Sequence, residues 1–139
     1  VYEAEREGAP FRQRVALKLL RYDLAGPEAR LRFRQERQIL ARLVHPFVVP
    51  ILDGGVTEEG RPYLVLQYVD GKPLTAFCEE TQQTLEARLR LICDVARGVD
   101  HAHVNLVVHR DLKPANVLVT SDAQVRLLDF GVAKLIDSS

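Results

Sequence analysis

Eight residues near the end of this 139-residue chain, His109-Arg110-Asp111-Leu112-Lys113-Pro114-Ala115-Asn116, leave little freedom in what can be built around them. They place a carboxylate, an ammonium and a carboxamide close together on one short stretch. After a short hydrophobic hairpin comes Asp129-Phe130-Gly131. The two runs together hold a candidate base, a cation suited to phosphate oxygens and two hard oxygen donors of the kind magnesium takes. Those are the parts that a phosphoryl-transfer site needs.

The length allows one core, so the chain is one domain or part of one. It contains no methionine and begins abruptly with Val1-Tyr2-Glu3, which reads as an excerpt of a longer polypeptide. Its 19 basic residues balance 19 acidic ones, which argues against a dedicated nucleic-acid binder. The Arg-rich stretch 30–42 is interrupted by Glu36 and apolar residues and reads as a solvated helix face. Cys78 and Cys93 show neither metal-ligand spacing nor a disulfide framework. They read as reduced thiols of a cytosolic domain. No apolar run reaches the length of a membrane span. The expectation is a cytoplasmic chain with no membrane segment of its own, any anchor of the parent lying elsewhere.

Two regimes follow along the chain. To about Tyr68 the pattern is strand-rich with one helix; from about Leu74 a long helix leads into short strands. Val15-Ala16-Leu17-Lys18-Leu19-Leu20 reads as a strand. Gly26-Pro27-Glu28 opens a helix, with proline in its first turn and an acid at the positive dipole end. Phe33, Glu36, Leu40 and Leu43 share one face of it, and His45-Pro46 should end it. Strands are expected around Val48–Leu52 and Tyr63–Tyr68, joined by a Gly-rich acidic turn. A second helix is expected from Thr84 to about His103, burying a stripe of Leu85, Leu89, Ile92, Ala96 and Val99. The junction between the halves is expected near Asp70-Gly71-Lys72-Pro73.

Lys18 and Glu36 stand out because each puts a charge on an apolar surface. Glu36 on the buried stripe would be expensive without a partner, and Lys18 projects from an otherwise apolar strand. Mutual pairing answers both problems. Breaking a buried pair of this kind costs about 3–5 kcal/mol, since one charge is stranded.

Together these motifs resemble the eukaryotic-like Ser/Thr protein kinases found in bacteria, in the central part of the catalytic domain. The likeness starts after the glycine-rich loop and stops a few residues beyond Asp-Phe-Gly. It implies an α+β, two-lobed kinase fold that is incomplete here. Residues 1–69 would form part of the small lobe without its glycine-rich loop, and 70–139 the hinge and the start of the large lobe. The resemblance implies ATP and Mg2+ as cofactors and a protein Ser or Thr hydroxyl as acceptor. Asp111 would be the catalytic aspartate, and Lys113 would neutralise the transferring γ-phosphoryl group. Asn116 and Asp129 would hold the metal, while Lys18, held by Glu36, would contact the α and β phosphates. Val1 and Ala16 would line the adenine site above and Leu118 below. Leu66 would stand at its back, and Gln67 and Val69 would offer backbone groups to the base edge. Lys113, in Leu-Lys-Pro, favours Ser/Thr over Tyr.

Leu40, Ile51, His109 and Phe130 match the column of side chains that couples the lobes of active kinases, so His109 is expected to pack and orient. His101 and His103 point different ways on a helix and are poor joint metal ligands. Arg110 marks kinases whose phosphorylated activation segment can be gripped by arginine. That segment would begin after Gly131 and include Ser138 and Ser139. The Ala-Pro-Glu region and the substrate-binding platform are not in the sequence. The expectation is an active parent kinase whose 139 residues alone are inactive. The alternative is a non-catalytic nucleotide-binding or scaffold module, pseudokinase-like.

Overall fold

The computed structural model describes residues 1–8, 10–21, 26–128 and 130. The expected Asp129 ligand, Gly131, Ser138 and Ser139 lie outside the described residues. The chain divides into two compact units. Among the described residues, the first holds Val1–Arg42 and Pro50–Tyr68; the second holds Leu43–Val49, Val69–Leu128 and Phe130.

The first unit is a four-stranded antiparallel sheet with one helix. Strands β1 (Tyr2–Arg6), β2 (Gln13–Leu19), β3 (Ile51–Val56) and β4 (Pro62–Gln67) lie in the order β1-β2-β4-β3. In β2 and β4 the sequence alternates, with Val15, Leu64 and Leu66 turned inward and Leu64 wholly buried. That period of two fixes the register, Ala16 opposite Leu66 and Lys18 opposite Leu64.

Helix α1 (Pro27–Ala41) begins as expected, with Pro27 in its first turn and Glu28 beside the dipole. It buries Phe33 and Leu40, while Glu36 is half-buried. It ends before His45-Pro46: the Arg42 N–H turns back to the Ile39 carbonyl at 3.1 Å, and Leu43 belongs to the other unit.

The strand expected at Val48–Leu52 is displaced. Val48 and Val49 serve the second unit instead. Val48 forms a parallel bridge with Leu127, and the Val49 N–H donates to the Leu127 carbonyl at 2.9 Å. β3 starts at Ile51 and runs through Asp53-Gly54-Gly55, residues that read as turn formers. The turn itself is Thr57–Gly60. The Thr57 N–H donates to Arg61 O at 2.8 Å, and Gly60 takes the left-handed φ of 86° that suits glycine.

The second unit combines helices with a small sheet ordered β5-β6-β7. β5 (Gly71–Pro73) pairs with β6 (Val117–Thr120), which pairs with β7 (Val125–Leu127). The residues expected as a junction, 70–73, therefore supply a strand. A short helix absent from the sequence reading, α2 (Leu74–Glu80), buries Phe77 and Cys78.

Helix α3 (Leu85–Val104) starts where expected, capped by Thr84, whose Oγ1 accepts from the Ala87 N–H at 3.2 Å. Its buried face is displaced from the expected stripe, of which only Val99 is even half-buried. Leu85, Leu89 and Ile92 are 74%, 55% and 51% exposed, and Ala96 is exposed too. Leu91, Val95, Gly98 and Ala102 are buried. The reason is closeness of approach. A Cβ at Gly98 would fall 2.6 Å from Leu127 Cδ1 and 3.3 Å from Phe47 Cβ. Small residues let α3 lie directly on β7, and tight packing outweighs the larger area of the leucine stripe.

Candidate active site

The second unit brings three of the expected residues together. Past α3 the chain reaches His109, then Arg110 at a φ of 67°. A left-handed conformation costs a non-glycine residue roughly 1–2 kcal/mol, so the surrounding contacts must hold it. They do so through side chains that grip the backbone of the next residue. The Asp111 N–H donates to His109 Nδ1 at 3.1 Å, and the Asp111 carbonyl accepts from Asn116 Nδ2 at 2.8 Å. Both sides of Asp111 are thus fixed while its carboxylate stays open, at 61% exposure.

His109 is buried, and its other nitrogen, Nε2, lies 2.6 Å from the Leu128 carbonyl. With Nε2–H donating there, Nδ1 is the acceptor that the Asp111 N–H requires; the tautomer follows from the partners. The Phe130 ring meets the imidazole edge-on, with centroids 4.7 Å apart. Aromatic pairs favour this arrangement. His109 packs and orients, and both nitrogens are engaged.

Around the Asp111 carboxylate, Lys113 Nζ stands 3.4 Å from Oδ2, and Asn116 Nδ2 is also 3.4 Å from Oδ2. Pro114–Asn116 form one turn of 3-10 helix, which places Asn116 back over Asp111. Asn116 is buried, and its carbonyl accepts from the Leu128 N–H at 2.8 Å, joining the loop to the end of β7. Because Nδ2 is committed to Asp111, metal ligation would fall to Oδ1. That is a hard oxygen donor and fits magnesium. Among the described residues no cluster of three His, Cys, Asp or Glu could hold a metal.

Elsewhere in this unit, Leu118 is half-buried on β6 between Pro73 and Arg126, and Val69 is half-buried just ahead of β5. In the first unit, Ala16 and Leu66 are cross-strand neighbours, with Leu66 buried. The Gln67 N–H donates to Pro50 O at 3.1 Å, so any base contact at this residue falls to its carbonyl. Val1 is 80% exposed ahead of β1. Lys18 in β2 and Glu36 in α1 are both half-buried. Leu40 is buried on α1 and Ile51 half-buried on β3.

Two features were not read from the sequence. The Leu128 carbonyl that anchors His109 is a backbone group and carries no side-chain signal. Arg14 stacks on Tyr68 with its guanidinium carbon 4.0 Å from the ring centroid, and only the strand register aligns them.

Residues 2–139 match the protein kinase domain family. The chain belongs to the protein kinase family. It is similar to serine/threonine-protein kinase PknB of Mycobacterium tuberculosis, 39% identical over 130 residues, covering 90% of this chain and 21% of PknB. With PknA of the same organism it shares 38% identity over 133 residues, 91% of this chain and 31% of PknA. The crystal structure of the M. tuberculosis PknI kinase domain matches with a TM-score of 0.72 at 34% identity, over 94% of this chain and 54% of that one. The chain therefore spans about half of a solved kinase domain and a fifth to a third of these curated relatives. The α+β kinase fold expected from the motifs is the fold found, as a sheet-bearing unit and the start of a helical one. No helix among the described residues is long and apolar enough to cross a membrane.

Proposed function

We propose that the protein containing this chain is an ATP- and magnesium-dependent serine/threonine protein kinase. The observation that carries the reading is the grip on Asp111, whose backbone is held on both sides while its carboxylate faces outward beside Lys113 and Asn116. A positioned carboxylate can accept or orient the proton of an attacking hydroxyl. The substrate Ser or Thr oxygen then bonds to the γ-phosphorus, the bond from that phosphorus to the β–γ bridging oxygen breaks, and ADP leaves. Lys113 balances charge on the phosphoryl oxygens in transit.

Asn116 and Asp129 would hold magnesium, which when bound neutralises charge on the phosphates. Lys18, oriented by Glu36, would hold the α and β phosphates. Ala16, Leu66, Val1 and Leu118 would enclose adenine, with the Gln67 carbonyl and Val69 backbone at its edge. The names of the relatives support a protein Ser or Thr acceptor, as does Lys113 within Leu-Lys-Pro. Free thiols at Cys78 and Cys93 suit a reducing, ATP-rich cytoplasm.

The 139 residues alone should be inactive, because α3 leaves Leu85, Leu89 and Ile92 in water. To test the reading, the full-length protein is incubated with γ-labelled ATP, magnesium and a general protein substrate, followed by phosphoamino acid analysis. Label on Ser or Thr is expected. Label on Tyr alone, or only as free phosphate, refutes it.

A further inference from the structure

Arg37 and Gly54 have no part in the site as described, and both lie in the first unit. Arg37 follows Glu36 on α1, and its Nη1 donates to the Gly54 carbonyl of β3. Among the described residues β3 is the edge strand of its sheet, paired only with β4. The acceptor is a glycine for a steric reason. A Cβ there would stand 2.9 Å from Arg37 Cδ and 2.7 Å from the Tyr63 carbonyl oxygen. The arginine stem can pass over the strand only where no side chain rises.

The strand is shaped for this contact. Its register against β4 shifts between Ile51 and Asp53, an irregularity of the kind that bends a strand. Asp53 Oδ1 then accepts the Gly54 N–H at 2.8 Å, bracing the same segment. On α1, Phe33 and Leu40 are buried by apolar contact, which is non-directional. A hydrogen bond from Arg37 is directional, and it acts one residue from Glu36.

We propose that the Arg37–Gly54 contact is a latch that sets the rotation of α1 on its sheet and so aims Glu36 at Lys18. This makes Arg37 a positioning residue for phosphoryl transfer, and it rests on the kinase reading above. The test uses the full-length protein with Arg37→Ala, Arg37→Lys and Gly54→Ala, the arginine variants also crossed with Glu36→Gln. Hydrogen exchange of α1 amides is followed beside kcat and the KM for ATP.

Arg37→Ala should speed exchange in α1 about tenfold while β4 keeps its protection, because only the helix is released. It should also lower kcat about tenfold, with Arg37→Lys recovering part of both. On the Glu36→Gln background it should add almost nothing, since both changes break one chain of action. Independent, multiplying losses in the double variant would overturn the proposal, as would unchanged exchange in α1. Should Gly54→Ala fail to fold, the two arginine variants still decide. Should the wild-type protein transfer no phosphate, the kinase reading fails, and the exchange measurement decides the latch by itself.

Discussion

At residue scale the 109–116 loop is built by side chains that hold backbone. His109 binds the Leu128 carbonyl with one nitrogen and the Asp111 N–H with the other. His109→Phe keeps a ring against Phe130 but loses both bonds, so kcat should fall roughly tenfold or more, read by steady-state kinetics beside a melting curve. Asn116→Asp is a sharper test of the amide. It retains oxygen donors, yet it cannot donate to the Asp111 carbonyl and puts a second carboxylate where Nδ2 now lies 3.4 Å from Oδ2. Activity should drop by about 10-fold or more even in saturating magnesium, which rescue by metal would contradict. Most of this loop was legible, because the family's motif sets particular side chains at fixed spacing. The left-handed turn at Arg110 was not, since its local cost is offset by His109 and Asn116 gripping Asp111, and His109 is itself anchored to Leu128, 19 residues on.

At element scale the contrasting outcomes on α3 show what a pattern can and cannot reveal. The helix and its Thr84 cap follow from local rules. Thr84→Ala should cost about 1 kcal/mol of stability by chemical denaturation. Its buried face does not follow, because α3 carries apolar residues on two sides and only tertiary packing chooses between them. The choice rests on Gly98. Gly98→Ala should destabilise by about 1–3 kcal/mol, although alanine is the better helix former, because the added methyl would stand 2.6 Å from Leu127 Cδ1. A stabilising effect would show that α3 is not seated there. β3 was misplaced for a related reason. Gly54 and Gly55 look like a turn, yet they lie in a strand because Arg37 and the Tyr63 hydroxyl, 2.8 Å from a Cβ at Gly55, occupy the space above them.

At the scale of the whole molecule, the segment 43–49 leaves the first unit and becomes part of the second. His45 there stacks on His101 of α3, with centroids 4.9 Å apart. Burial first, and then the charge of His101, hold the His45 pKa below its usual 6.5. The unfolded chain therefore takes up this proton before the folded one. The stability tied to a neutral His45 is full above about pH 6.5 and is lost as pH falls through the lowered folded value. Unfolding midpoints at about pH 7.5 and about pH 5.5 should differ more for wild type than for His45→Asn; equal shifts would contradict this. The account as a whole stands on Asp111, and the most direct measurement is the phosphoryl-transfer rate of full-length Asp111→Asn, with ATP affinity and melting temperature measured in parallel. A loss of roughly 10²–10⁴-fold in kcat, with affinity and melting temperature retained, is the expected result. An unchanged rate in a folded, ATP-binding variant would contradict it.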